Sequence, residues 1–466
     1  MLDVFNREKS FYKKILTIAI PITLQNLITI GINMADTMML GSLGEIALSA
    51  SSLANQFAFV FLVIHYGLSG GAGVLTGQFW GNNDKESIAK TLSIMFKISA
   101  IFCLGFFVVG QFFPKFVMGI YTNEPAVIAE GSKYLKILSY SFLVQGFSLI
   151  AIGIFRTVGI VKLALTSTGI SFLANIFLNW MFIFGNLGAP ELGAAGAAVG
   201  TLVSRIIEFV IVISYLLFVD KRIQFKLKSL LSIDKEIFKD YLTHGTPVLI
   251  SDFILVIGLN MLSVIMGRMG SDMVAANSIT AVVYQFSTVF LIGVSNSSGV
   301  IIGNTVGAKE YDKAQRYGKT FMALGAVIGV LAGCAIFFLK DFVIGFYSVS
   351  ENTKAITIEL MNATALLVTF QGVSNILTKG VLRAGGDTKF LMIADVIFLW
   401  VVSIPLGFLT GIVWGLSPGI VYLCLKIDDI IKAIWCTGRL LSNKWIRNVI
   451  GDSEELNEEF LENISV

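Results

Sequence analysis

Residues 30–44 read IGINMADTMMLGSLG, and they close an apolar run that begins at Ile15 and carries no charge except Asp36 before Glu45. A helix crosses the hydrocarbon layer of a bilayer in about 20 residues, so a run of this length and polarity reads as membrane-spanning. Comparable runs recur at 15–40, 47–78, 91–113, 133–155, 163–185, 194–218, 243–267, 273–302, 317–339, 356–382, 389–411 and 417–437. Hydrophobic residues make up 55% of the chain and charged residues 14%, and the mean hydropathy is +0.80. A soluble protein of this size needs a more polar surface. The expected fold class is therefore an all-α polytopic membrane protein with twelve transmembrane helices. The first fourteen residues are polar and basic, and the run from Ile15 is long enough to span the bilayer rather than be cleaved.

Twelve spans place both termini on one side. The loops on that side carry twenty-two Lys and Arg residues, against only Lys115, Arg268, Lys340 and Lys354 on the other. This asymmetry predicts cytoplasmic termini. The tail from Gly451 is acidic and is expected to be solvated. Cys103, Cys334, Cys424 and Cys436 lie singly in or beside apolar segments, with no CxxC or metal spacing. They read as buried thiols outside any disulfide framework.

The chain also repeats itself. At an offset of 226, Pro21 meets Pro247, GSLG (41–44) meets GRMG (267–270), and GQFWGNND (77–84) meets GNTVGAKE (303–310). Gly67, Ser69 and Gly73 meet Gly293, Ser295 and Gly299, and Gln145-Gly146 meets Gln371-Gly372. After one inserted residue, Arg156, Gly159 and Lys162 meet Arg383, Gly386 and Lys389. Each copy holds six spans, an even number, so both enter from the same side as parallel six-helix bundles. The predicted organisation is an N-terminus (1–14), an N-lobe (15–218), a basic cytoplasmic linker (219–240), a C-lobe (241–437) and a C-terminal tail (438–466). Two bundles flanking a cleft suit alternating access.

Several stretches carry a family resemblance: IPITLQN and DTMMLGSLG on the first span, GQFWGNND after the second, and NIFLNWMFIFG on the fifth. ELGAAGAAVGTLVSRIIEF leads into the sixth, HGTPVLISD lies on the seventh and LRAGGDTKF precedes the eleventh. The chain resembles the multidrug and toxic compound extrusion family over roughly residues 10–450. That resemblance implies a two-lobed antiporter of the plasma (inner) membrane. It would exchange Na⁺ or H⁺ for amphipathic, often cationic compounds, with no cofactor beyond the coupling ion and no nucleic-acid partner, as a monomer in the bilayer.

A carboxylate inside a span costs about 2.5–3.5 kcal/mol and needs a cavity or a partner. Asp36 is the first candidate for cation or proton coupling. The alternative is a hydrated helix end near Gly41. Asn33, three residues before it, and Asn175 and Asn179, four apart on the fifth span, would supply amide oxygens of the kind that coordinate a hard cation. The bland reading of the amides is interhelical hydrogen bonding. A branch of the similar family has an aspartate where Asn179 stands, which leaves Asp36 as the only deep carboxylate of the N-lobe here. That tilts the reading towards Na⁺ at Asp36, Asn175 and Asn179.

Asp252 and Asp395 form a second acidic candidate site in the C-lobe; a hydrated end and a salt bridge to Lys389 are the respective alternatives. Arg205–Glu208 and Lys426–Asp429 read as self-neutralising pairs on one helix face, and Lys97 and Lys379 as snorkelling bases. Pro21 is a candidate hinge, whereas Pro247 lies close enough to a helix start to be harmless. Met34, Met38, Met261 and Met266 are candidates for an adaptable cavity wall. GQFWGNND lacks the lysine and spacing of a phosphate loop. A lipid-linked-precursor flippase is a second transport reading, but the extra helices and basic cavity it calls for are missing. A membrane-embedded enzyme would need a deep acid–histidine cluster, which the sequence lacks.

Overall fold

The computed structural model describes residue 6 and residues 8–231, 233–347 and 349–450. The acidic tail expected to be solvated lies outside the described residues. Among the described residues there are helices and no strands. This follows from the solvent: in hydrocarbon each backbone N–H and C=O must be paired within its own segment.

The first copy comprises α1 (Lys9–Gly41), α2 (Glu45–Gly81), α3 (Lys85–Phe112), the short α4 (Pro114–Tyr121), α5 (Pro125–Thr157), α6 (Lys162–Phe184) and α7 (Ala194–Ser214). The second comprises α9 (Thr246–Arg268), α10 (Ser271–Gly307), α11 (Tyr311–Ile344) and α12 (Glu351–Asn375), after a short α8 (Lys235–Asp240). It continues through α13 (Leu382–Ala384), α14 (Thr388–Val396), α15 (Ile404–Phe408), α16 (Pro418–Leu425) and α17 (Ile427–Leu441). Among the described residues eleven helical stretches are long and apolar enough to cross a membrane. The expected twelfth is not continuous: it breaks at Lys426, which leaves the helical backbone at φ −118° between α16 and α17.

The duplication governs helix boundaries as well as residue types. The starts of α2, α3, α5 and α6 (45, 85, 125 and 162) plus 226 give 271, 311, 351 and 388, the starts of α10, α11, α12 and α14. The same positions leave the right-handed backbone in both copies. Gly44 (φ 108°) matches Gly270 (φ 121°), and Asn83 (φ 59°) matches Lys309 (φ 60°). With the later offset of 227, Gly159 (φ 78°) matches Gly386 (φ 92°). The two copies therefore share turn chemistry as well as hydrophobic runs.

The copies part company where α6, an unbroken helix, corresponds to α14 and its continuation. There π-helical turns at Ile397–Ser403 and Leu409–Val413 interrupt the span. Another π-helical turn, Ile376–Val381, follows α12. Local capping is ordinary elsewhere: the Asp84 side chain accepts from the Ser87 amide at 3.0 Å, and Ser350 from the Thr353 amide at 3.1 Å. Pro247 does not stand at a free helix start as expected: α8, a π-helical turn at Tyr241–Gly245 and α9 form one continuous helical stretch, Lys235–Arg268, and the proline lies inside it, where it interrupts the hydrogen-bond ladder.

The chain divides into two compact units. One holds residues 24–76 and 84–241; its core joins Phe61, Met118, Leu135, Phe142 and Ala197. The other holds residues up to 23, residues 77–83 and those from 242 on, with Leu262, Met273, Leu360 and Val421 in one of its cores. Helix α1 crosses this division after Thr23, two residues beyond Pro21, with no break in the helix.

Within the second unit, the equivalent glycines 77 and 303 pack against each other. A Cβ built on Gly77 would lie 3.6 Å from the Gly303 Cα. One turn on, a Cβ on Gly81 would collide with the Asn304 carbonyl, and one on Gly307 with the Gln78 carbonyl. Gln78 donates to the carbonyls of Ala384 (3.2 Å) and Arg447 (3.1 Å) and accepts from the Val449 amide at 2.9 Å. Trp445, fully buried, donates to Gln315 at 2.6 Å. The chain just before Gly451 is thus a packed part of this unit, whereas the sequence suggested only a tail.

Candidate functional site

The first unit brings Asp36 of α1 to the asparagines of α6. Asn179, fully buried, donates from Nδ2 to Asp36 Oδ1 at 2.5 Å and to Asn175 Oδ1 at 3.3 Å. Asn175 in turn donates to Thr201 Oγ1 of α7 at 3.4 Å. Gly200 makes room for this arrangement, because a Cβ there would strike Asn179 Oδ1. That oxygen is buried with no hydrogen-bond partner. Tyr134 of α5 approaches the group through Thr201 and Asn55. A buried amide oxygen without a donor is destabilising unless something else satisfies it. A cation would do so, and a carboxylate with two neighbouring amide oxygens is a hard-cation donor set.

Asn33 does not join this group. Its side chain is exposed, and its carbonyl accepts from the Thr37 hydroxyl at 2.7 Å. A three-residue spacing put it on Asp36's face of α1, but the α6 amide reaches Asp36 while the Asn33 side chain stays exposed. Thr201, Tyr134 and Gly200 carried no sequence signal, because each matters only through which helix packs against which.

Asp36 is not the only deep carboxylate of this unit. Glu208, 5% exposed, pairs with Arg205 at 2.9 Å, as the three-residue spacing suggested. It also accepts from Thr168 at 3.1 Å, which accepts from Gln25 at 3.0 Å, and Gln25 accepts from Arg156 at 2.6 Å. Two opposite charges, Glu208 and Arg156, are thus joined through neutral dipoles inside the bundle, although Arg156 Nε is left without a partner.

In the other unit Asp252 is not a lone carboxylate at a helix end but is held by two bases. Arg383 grips it with two hydrogen bonds, at 2.8 and 3.1 Å, and Lys379 adds a third contact at 2.8 Å. Lys379, read as a snorkelling base, is one of its counter-ions. Asp395 is not paired with Lys389: Ser251 donates to it at 2.6 Å and Lys432 at 3.0 Å. Lys432 also holds Asp428 at 3.0 Å, and Ser403 from the π-helical turn donates to Asp428 at 3.1 Å. No ion pair joins Lys426 to Asp429 among the described residues; Gln371 donates to Asp429 at 3.0 Å instead. Lys432 and Asp428 stand four apart, a spacing visible in the sequence. Their meeting with Asp395, across two helices, is not.

Other expectations are corrected by packing. Cys334 is exposed while Cys103 and Cys436 are buried; all four thiols are free. Met266 lies in a hydrophobic core, whereas Met34, Met38 and Met261 are 50%, 74% and 39% exposed. His65, fully buried, is held by the Phe61 carbonyl and the Ser99 hydroxyl at 2.9 and 3.0 Å, a satisfied packing residue.

A duplicated helical chain with membrane-spanning stretches and a carboxylate–amide group held between its helices has the architecture of a membrane transport protein. The family model MatE matches residues 21–181 and 247–409, two copies whose starts differ by 247 − 21 = 226, the offset of the internal repeat. The chain belongs to the MatE family, whose members are transporters. It is 25% identical to an uncharacterized transporter, YisQ, of Bacillus subtilis over 418 residues, 89% of this chain and 90% of that one. It is also 25% identical to a probable multidrug resistance protein, NorM, of Thermotoga maritima over 450 residues, 96% of each chain. Among solved structures, a multidrug resistance MATE family transporter in an outward-facing conformation matches with a TM-score of 0.83 at 20% identity, over 93% of this chain and 96% of that one. A MOP superfamily transporter from Pyrococcus furiosus, described as having a binding pocket of reverse polarity, matches with the same TM-score at 19% identity and the same coverage. These structural likenesses establish the shared fold.

Proposed function

We propose that this protein is a secondary active multidrug antiporter of the cell membrane. It exports amphipathic, often cationic small molecules by alternating access, in exchange for a cation bound at Asp36, Asn175 and Asn179. The observation that carries the reading is the unpartnered, buried Asn179 Oδ1 beside the Asp36 carboxylate. Oxygen donors of this kind suit Na⁺, and the absence of a second carboxylate in the group favours Na⁺ over a two-carboxylate proton relay. The names of the relatives, which include probable multidrug resistance proteins, support the substrate class.

The loop charges support cytoplasmic termini. The passage of α1 between the two compact units just beyond Pro21 supports this proline as a hinge, since proline removes one intrahelical hydrogen bond. The Asp252–Lys379–Arg383 and Asp395–Lys432–Asp428 groups act in this reading as structural ion pairs. The deciding experiment is uptake of a fluorescent cation into proteoliposomes, with Na⁺ and pH gradients imposed separately. Uptake driven by Na⁺ alone and abolished in Asp36→Asn is the expected result. Full uptake in that variant, or no response to either gradient, would overturn the proposal.

A further inference from the structure

We propose that the linker after the sixth span, folded back on its own helix bundle, completes a binding site for one anionic phospholipid of the adjoining leaflet. The linker remains with the first unit as far as Tyr241. Three polar ties hold it there. Ser93 of α3 donates to the Ser229 carbonyl at 2.6 Å, Lys90 of α3 pairs with Asp234 at 3.2 Å, and Arg222 donates to the Val158 carbonyl at 2.5 Å. Phe225 adds an apolar tie, packing edge-on against Phe96 with ring centroids 5.8 Å apart.

Beneath this strap lies a cavity of about 380 Å³. Its wall is formed by Phe96, Phe147, Phe209, Ile213, Leu216 and Phe225, and Lys97 is the one charged residue in it. Apart from Lys97 the wall offers only apolar side chains, so the space suits hydrocarbon. None of Asp36, Asn175 and Asn179 lines it, so it is separate from the candidate ion site.

The rim is of the opposite character. Leu227 and Leu230 line the cavity and alternate with Lys226 and Lys228, both exposed. The acids beside them are occupied. Asp220 accepts from the amides of Ile223 and Gln224, at 2.8 and 3.0 Å, and Asp234 is taken by Lys90. Among the described residues no ion pair engages Lys226 or Lys228. Phe218 (83% exposed), Leu227 (60%) and Leu231 (89%) place apolar surface along the same strap. Apolar and basic residues alternating at the end of a span mark the headgroup level of a bilayer. An apolar space lined by Leu227, with exposed lysines at the adjoining positions 226 and 228, suits an acyl chain below and a phosphate headgroup above. This inference needs only the membrane-embedded class of the protein, so failure of the transport reading leaves it standing.

Native mass spectrometry of the full chain released from detergent, offered equal amounts of phosphatidylglycerol and phosphatidylcholine of the same chain length, tests it. The wild type is expected to retain one phosphatidylglycerol in clear preference. Lys226→Gln with Lys228→Gln, both on the exposed rim, should cut that retention about tenfold. Ile213→Trp should abolish it by filling the cavity, and Ala100→Phe repeats that test should Ile213→Trp fail to fold. Equal retention of the two lipids by the wild type, or undiminished phosphatidylglycerol in a folded cavity-filled variant, would overturn the site.

Discussion

Asn179 on α6 and Asp36 on α1 are joined by a hydrogen bond of 2.5 Å, while the other end of the same amide, Oδ1, has no donor. The amide is thus turned with its NH2 end to the carboxylate and its oxygen against Gly200; in the proposed reading that oxygen is a ligand for the coupling cation. Asn179→Ala removes both functions but keeps Asp36. Ion-driven uptake in proteoliposomes is expected to fall at least about tenfold, the scale of losing one charge-assisted hydrogen bond of about 1.5–3 kcal/mol. Membrane insertion should be unaffected, so comparable protein in the membrane with wild-type uptake would remove Asn179 from the site.

Replacing the same amide by a second carboxylate changes the chemistry rather than deleting it. Two carboxylates within hydrogen-bond distance cannot both stay ionised, so the pair retains a proton near neutral pH. In Asn179→Asp, uptake driven by an imposed pH gradient should rise relative to that driven by Na⁺. An unchanged ratio of the two rates would count against Asn179 as the ion-selecting position.

The ends of α2 and α10 are glycine because their backbones touch. Gly307→Ala would drive a methyl into the Gln78 carbonyl, and overpacking of this kind destabilises by about 1–3 kcal/mol. Gly105 of α3, with nothing within 4 Å of its Cβ position, is the control. Alanine there should be neutral or mildly stabilising. Thermal unfolding of the two variants in detergent compares them directly.

Lys432 holds two carboxylates in a buried site, with its own side chain 6% exposed. Lys432→Met leaves Asp395 and Asp428 without a counter-charge and is expected to destabilise by about 3–5 kcal/mol. Adding Asp428→Asn should recover part of that loss, because one of the stranded charges is removed. Unfolding midpoints of the single and double variants measure both effects.

The linker strap has its own pH dependence. Partial burial alone would raise the Asp234 carboxyl above its ordinary value, but the Ile237 amide and the Lys90 ammonium outweigh it and hold the group below. A depressed carboxyl stabilises the folded form above its unfolded value of 3.8, and the contribution is lost as pH falls below that through the folded value. Hydrogen exchange at residues 235–240 should therefore quicken on acidification below about pH 4, after correction for the intrinsic rate. Asp234→Asn should show the faster exchange already at neutral pH.

Sequence by itself determined that this chain spans a membrane, that it is a duplication, and roughly where its spans lie, although helices such as α3 and α5 begin at Lys85 and Pro125, before the apolar runs that marked them. These are local properties. Hydrophobic length sets a span, and turn residues such as Gly44 and Gly270 set its ends, so a repeat in sequence becomes a repeat in boundaries. It also pointed to Asp36, Asn175 and Asn179, because a carboxylate in an apolar run and two amides on one helix face are visible without neighbours. Tertiary structure alone decided which charges are already neutralised. Asp252 and Arg383 lie 131 positions apart, and Asp395 and Lys432 lie on different helices, so their pairing depends on inter-helix packing that no spacing encodes. The same holds for Asn33, which the spacing puts beside Asp36 but whose side chain is exposed. In a low-dielectric interior, whether a charge is structural or functional depends on what stands within about 3 Å of it, and only the packed helices set that distance.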